Sequence, residues 1–94
     1  MKHWIYILYS KKANKYYVGE SSNPQNRLAQ HLEHRFKNNF TKIANDWTLA
    51  LEKEVPSKKD ALFLERFIKR MKSRRFIEKI IVSPDILIDI LKNK

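Results

Sequence analysis

Residues Trp4 to Tyr9 are apolar or aromatic without a break. An extended chain places Trp4, Tyr6 and Leu8 on one side and Ile5, Ile7 and Tyr9 on the other. Apolar residues on both faces predict a strand covered on both sides, hence a central one. "KKANK" reads as a polar turn and Tyr16 to Gly19 as the returning strand of a hairpin. "SSNPQNRLAQHLEHRF" then changes period: Asn23 caps, Pro24 fits the first helical position, and Leu28, Leu32 and Phe36 form the buried stripe. Beside it runs a second stripe of Arg27 and His31, four residues apart. "WTLALEKEV" alternates Trp47, Leu49 and Leu51 and predicts a third strand. Ser57 or Asp60 opens a helix with Ala61, Leu64, Ile68 and Met71 toward the core and Phe67 close by, and "RRFIEKIIV" continues helically. Ser83, Pro84 and Asp85 start another helix, carrying Ile86, Leu87, Ile90 and Leu91. The order ββαβαα, with an extra C-terminal helix, predicts an α+β domain on a three-stranded, mainly antiparallel sheet flanked by helices.

Composition narrows the function. With 94 residues the chain is one domain, and its 43% hydrophobic content is ordinary for a globular fold. There is no cysteine, which excludes disulfides and thiolate metal sites. The N-terminal apolar run is too short for a signal peptide or a membrane span, so the expected location is the cytoplasm. Twenty Lys and Arg against ten Asp and Glu give a net charge of +10, which favours polyanionic nucleic-acid partners, DNA or RNA alike. The same balance also fits a lysine-rich solubilising surface. No strongly basic amphipathic helix with an aromatic face points to a membrane.

Three features carry candidate chemistry. Glu65 borders the buried stripe of its helix, where a carboxylate suits Mg²⁺, an ion that takes oxygen donors and keeps several waters. It also precedes Lys69 by four residues, the favoured order for a helical ion pair. Arg27 and His31 suit phosphodiester cleavage, which needs a cation for charge on phosphate and a group that exchanges protons, yet both also read as ordinary helix-surface residues. His31 and His34 lack the further ligands that a zinc site needs. All four tyrosines, and the only glycine of the chain, fall between Tyr6 and Gly19.

Taken in order, Ile5-Tyr6, Tyr17-Val18-Gly19, Arg27, His31 and Glu65 resemble the GIY-YIG nuclease superfamily, in particular its small single-domain, excision-nuclease-subunit-like members. The resemblance runs over residues 3 to 82. It implies a catalytic domain over 1–82, with 83–94 as a helical extension of the same domain. The implied activity is metal-dependent hydrolysis of DNA phosphodiesters by water, in repair or recombination. By that resemblance Glu65 holds one Mg²⁺ or Mn²⁺, Arg27 neutralises the phosphoryl group, and Tyr6 and Tyr17 orient the attacking water, one of them as general base. His31 takes the place of a proton relay or phosphate contact. Gly19 lets a neighbouring group approach its strand closely.

Two positions depart from the family pattern: Trp4 replaces the first glycine, and Glu20 follows Gly19, where a carboxylate either repels DNA or adds to metal binding. Lys37, Lys42, Lys69, Arg70, Lys72, Arg74 and Arg75 form the candidate phosphate-contacting surface, which positions a backbone without reading sequence. The alternative function is a non-catalytic nucleic-acid-binding module that keeps the nuclease fold. The expected state is a monomer or weak homodimer, with residues 83–94 as the segment open to a protein partner.

Overall fold

In the computed structural model the backbone is described for residues 2–32 and 44–94, and the side chains for 2–29 and 44–94. The described residues form β1 (His3–Ser10), β2 (Lys15–Ser21), α1 (Pro24–Leu32), β3 (Thr48–Val55), α2 (Lys58–Met71), α3 (Arg74–Val82) and α4 (Asp85–Lys92). The sheet order is β2-β1-β3, antiparallel throughout, so the apolar first strand is central as expected. The hairpin register pairs Tyr6 with Gly19, Leu8 with Tyr17 and Tyr9 with Tyr16. Its turn ends at Asn14, in the left-handed region at φ 53°, a conformation asparagine tolerates better than most residues. The Ser10 hydroxyl accepts the Ala13 N–H (3.0 Å) and donates to Asp46 (2.5 Å), which also accepts the Lys12 N–H (2.9 Å). These bonds, the one from Ser10 first, hold the Asp46 carboxyl below the usual carboxylate range.

The two faces of the sheet carry separate cores. On one, Ile5, Ile7 and Val18 pack with Leu51 and Val55 under Ala61, Leu64 and Ile68 of α2, Ile80 of α3 and Leu87 of α4. On the other, Tyr6, Leu8, Ala44 and Trp47 pack with Leu28 of α1 and with Tyr17 and Leu49. The alternation of Trp47, Leu49 and Leu51 is broken by an irregularity in β3. Ile7 pairs with Leu51 and Leu8 with Leu49, so one extra residue, Ala50, sends Leu49 and Leu51 to opposite faces.

The helix starts follow their capping residues. Asn23 Oδ1 accepts the Asn26 N–H at 3.1 Å, and Ser57 accepts that of Asp60 at 3.2 Å. The helical stretch expected at "RRFIEKIIV" is α3, set off from α2 by a sharp break. Lys72 turns left-handed at φ 48°, and Ser73 caps α3 by accepting the Phe76 N–H. An unbroken helix would carry the stripe of Ala61, Leu64 and Ile68 on through Met71, Arg75 and Lys79. The break instead brings Phe76, Ile77 and Ile80 onto the core and leaves Met71 47% exposed. α4 packs into the same core through Leu87, with Lys53–Asp85 (3.2 Å) and Lys94–Asp60 (2.8 Å) at its ends. The remainder of the helix expected through Phe36, and the side chain of Leu32, lie outside the described residues. No helix among the described residues is long and apolar enough to cross a membrane.

Candidate active site

Tyr6 is 1% exposed, and its ring lies across the backbone of its cross-strand partner. A Cβ on Gly19 would sit 2.5 Å from the Tyr6 hydroxyl oxygen and 2.6 Å from Cζ. The glycine is therefore required by the ring above it and not by its own dihedral angles. Gly19→Ala is expected to force the buried ring aside and destabilise the fold by about 1–3 kcal/mol, the usual cost of overpacking. Thermal unfolding measures this, and an unchanged midpoint would show that the ring yields freely.

Tyr17 stands on the same face as Tyr6, half-buried at the sheet edge, with ring centroids 6.4 Å apart and planes at 35°. α1 brings Arg27 to this face. α2, which packs on the opposite face against β1 and β2, supplies Glu65 from its flank. The Glu65 side chain is 21% exposed, and Lys69 Nζ lies 3.8 Å from its Oε1 and 5.8 Å from the Tyr17 ring centre. The helical ion pair and the flank position thus coexist. Burial pushes the Tyr6 phenol well above its ordinary range; Tyr17 adds to this, Arg27 opposes it, and Glu65 and Glu20 add smaller upward effects. All four partners are within electrostatic reach of one hydroxyl. At neutral pH Tyr6 is a neutral phenol.

Tyr6 and Tyr17 are thus neighbours, with Arg27 and Glu65 within electrostatic reach of the Tyr6 hydroxyl. His31 lies in the last turn of α1, with its side chain outside the described residues, where Lys37 and Lys42 also lie. Arg70 and Lys69 of α2, Lys72 between the helices and Arg75 of α3 are exposed, Lys69 being paired with Glu65. Arg74 is committed elsewhere. Its guanidinium donates to the backbone and side-chain oxygens of Asn14, both at 2.7 Å, and lies over the Tyr16 ring at 5.1 Å. Tyr9 donates to Asn14 (3.1 Å) and Tyr16 to Glu78 (3.3 Å), their rings 4.9 Å apart. The two remaining tyrosines and Arg74 therefore form a structural clamp between the hairpin turn and α3. Glu20 is also taken: its carboxylate pairs with the His3 ring, and the two side chains are only 16% and 11% exposed. The His3 ring thus stands against the carboxylate that departs from the family pattern.

A polar hollow of about 280 Å³ is lined by this His3–Glu20 pair together with Arg27, Lys58, Asn23 and Asn26, so a carboxylate shares it with the two cations. Two cations with amide side chains suit a phosphate there. Among the described residues no three carboxylate or imidazole groups form a metal cage. Glu65 is a single hard oxygen donor, a chemistry that suits Mg²⁺ or Mn²⁺.

The model of the GIY-YIG catalytic domain family matches residues 2–79. The solution NMR structure of a UPF0213 protein from Bacillus halodurans superposes with a TM-score of 0.54 at 27% identity, covering 87% of this chain and 84% of that one. No curated protein matches the chain.

Proposed function

We propose that this chain, which belongs to the GIY-YIG catalytic domain family, is a metal-dependent endonuclease that hydrolyses DNA phosphodiesters with an activated water. The observation that carries the reading is the convergence of Tyr6, Tyr17, Arg27 and Glu65 from two strands and two helices on opposite faces of the sheet. In this reading the Arg27 guanidinium binds a non-bridging phosphate oxygen and offsets the charge that grows there in the transition state. Tyr6, held neutral by its burial, donates its hydroxyl proton in a hydrogen bond that orients the water or the phosphate. The less buried Tyr17, with the Lys69 ammonium beside its ring, is the tyrosine whose phenolate would take the proton of the water and become the neutral phenol. Glu65 would hold Mg²⁺ or Mn²⁺, which supplies Lewis-acid stabilisation of the phosphoryl and leaving oxygens.

One observation favours the alternative of a binding module without turnover: Lys69 already neutralises the Glu65 carboxylate. Supercoiled plasmid incubated with the protein and Mg²⁺, Mn²⁺ or EDTA separates the two. Open-circular product in either metal and none in EDTA supports the nuclease, and retained binding without product supports the module.

Arg27→Ala should lower the single-turnover rate more than it weakens binding, because a contact made in the transition state acts on turnover. A loss confined to binding would make Arg27 a phosphate anchor only. Binding of duplex DNA by the chain, with its charge of +10, should fall with salt at a log–log slope of about −0.9 per neutralised phosphate. A flat response in a fluorescence titration would remove the basic surface from the account.

A further inference from the structure

Between β2 and the α2–α3 junction lies an open hollow of about 430 Å³, which shares Tyr17 with the converging residues. Its walls are aliphatic and aromatic: Val18 and Ile68 are buried, Ile77 half-buried, and Tyr17 closes one side. Its rim is cationic, with Lys15, Lys69 and Lys72, and no carboxylate is among the described residues that line it. Lys72 holds a left-handed backbone at φ 48°, an unfavourable conformation for a residue with a side chain. The turn it makes folds the start of α3 back onto the hollow. Arg74, bonded twice to Asn14, braces the wall.

We infer that this hollow is a nucleotide subsite, seating one unstacked base of the bound strand while the rim lysines hold the flanking phosphates. The inference rests on the nuclease reading and extends it to how the substrate is gripped. A bare phosphate would find no use for an aliphatic floor, and a purely apolar ligand none for three lysines. A nucleotide uses both, since bases pack on aromatic and apolar surface while cations follow the backbone. Two groups tie the subsite to the reacting phosphate. Tyr17 borders the hollow and faces Tyr6, and Lys69 borders the hollow and pairs with Glu65. The seated base therefore belongs to a nucleotide adjoining the scissile bond, and a paired base must leave its stack to reach it.

The test uses the full chain in EDTA, so that binding is read whether or not the protein cleaves. Fluorescence anisotropy compares a short oligothymidylate with an abasic strand of the same length and charge, and methyl NMR follows Ile68 and Ile77. The oligothymidylate is expected to bind about tenfold tighter, within the range one stacked base supplies, and to shift both methyl signals, while the abasic strand leaves them in place. Ile77→Ser, with its fold checked by the same spectra, should remove most of the tenfold difference and keep the abasic affinity. Equal affinities for the two strands would overturn the subsite, as would a base-dependent gain that leaves the Ile77 methyl unmoved. Absence of plasmid nicking would count against the nuclease reading without altering this result.

Discussion

Glu65→Ala is expected to abolish metal-dependent nicking, with no open-circular product above background at saturating Mg²⁺ or Mn²⁺. The reason is that the proposed metal hangs on one carboxylate: the other one within reach of the Tyr6 hydroxyl, Glu20, is paired with His3. Glu65 is on the flank of α2, neither in its core stripe of Ala61, Leu64 and Ile68 nor on its outer face, and its side chain is 21% exposed. The fold should hardly notice the change. What it loses is one ion pair with Lys69, half-exposed and worth at most about 0.5 kcal/mol after solvent screening. Alanine also favours the helix slightly. Thermal unfolding within a degree or two of the parent, together with lost nicking, is the expected pair of results. Nicking that persists at equal metal concentration would take Glu65 out of the site and leave it as the helical partner of Lys69 alone.

What the amino-acid order made legible was whatever local chemistry decides. Apolar residues on both sides of Trp4 to Tyr9 placed β1 at the centre, and Asn23-Pro24, Ser57 and Ser83-Pro84 marked where helices begin. The parity of the hairpin put Tyr6 and Tyr17 on one face, and the rings lie 6.4 Å apart. The rest depended on partners distant in sequence. The extra residue at Ala50 has no signature in "TLALEKEV"; it is the packing of Leu49 and Leu51 into two different cores that requires it. The break at Lys72 was hidden because helix propensity runs on without interruption, and only the phase of the apolar residues in "RRFIEKII" betrays it. Arg74 reads as one more surface cation until Asn14, sixty residues earlier, is seen to occupy its guanidinium. Glu20 likewise reads as an intruding charge until His3 is seen against it. Cations and carboxylates are the residues whose role a sequence leaves most open, because a partner anywhere in the chain can claim them.

The division of labour between the two phenols sets the last expectation. Tyr6→Phe and Tyr17→Phe keep the ring and remove one oxygen, and each should lower the single-turnover rate on the order of a hundredfold or more, the usual scale for a proton-handling group. Losing one hydroxyl costs about 1 kcal/mol of stability where its partner stays hydrated and about 1–3 kcal/mol where it is left buried, the case at Tyr6, so rate and fold part company most cleanly in Tyr17→Phe. The two variants should differ in their response to pH. Tyr6 is buried and its phenol is raised far above neutrality, so its hydroxyl stays protonated across the working range. The slowed Tyr6→Phe enzyme should keep the pH dependence of the parent. If Tyr17 accepts the proton, its loss should change how the rate depends on pH, because the accepting group is gone. Tyr9→Phe and Tyr16→Phe remove hydroxyls that bond to Asn14 and Glu78 in the clamp, so they should soften the hairpin turn and leave the rate nearly unchanged. Rates measured with the opposite ordering, the clamp tyrosines mattering and Tyr6 and Tyr17 not, would sink the assignment. A Tyr6→Phe variant that alone loses its pH dependence would exchange the roles of the two phenols, and would mean that bound metal and Arg27 overcome the burial that keeps Tyr6 neutral.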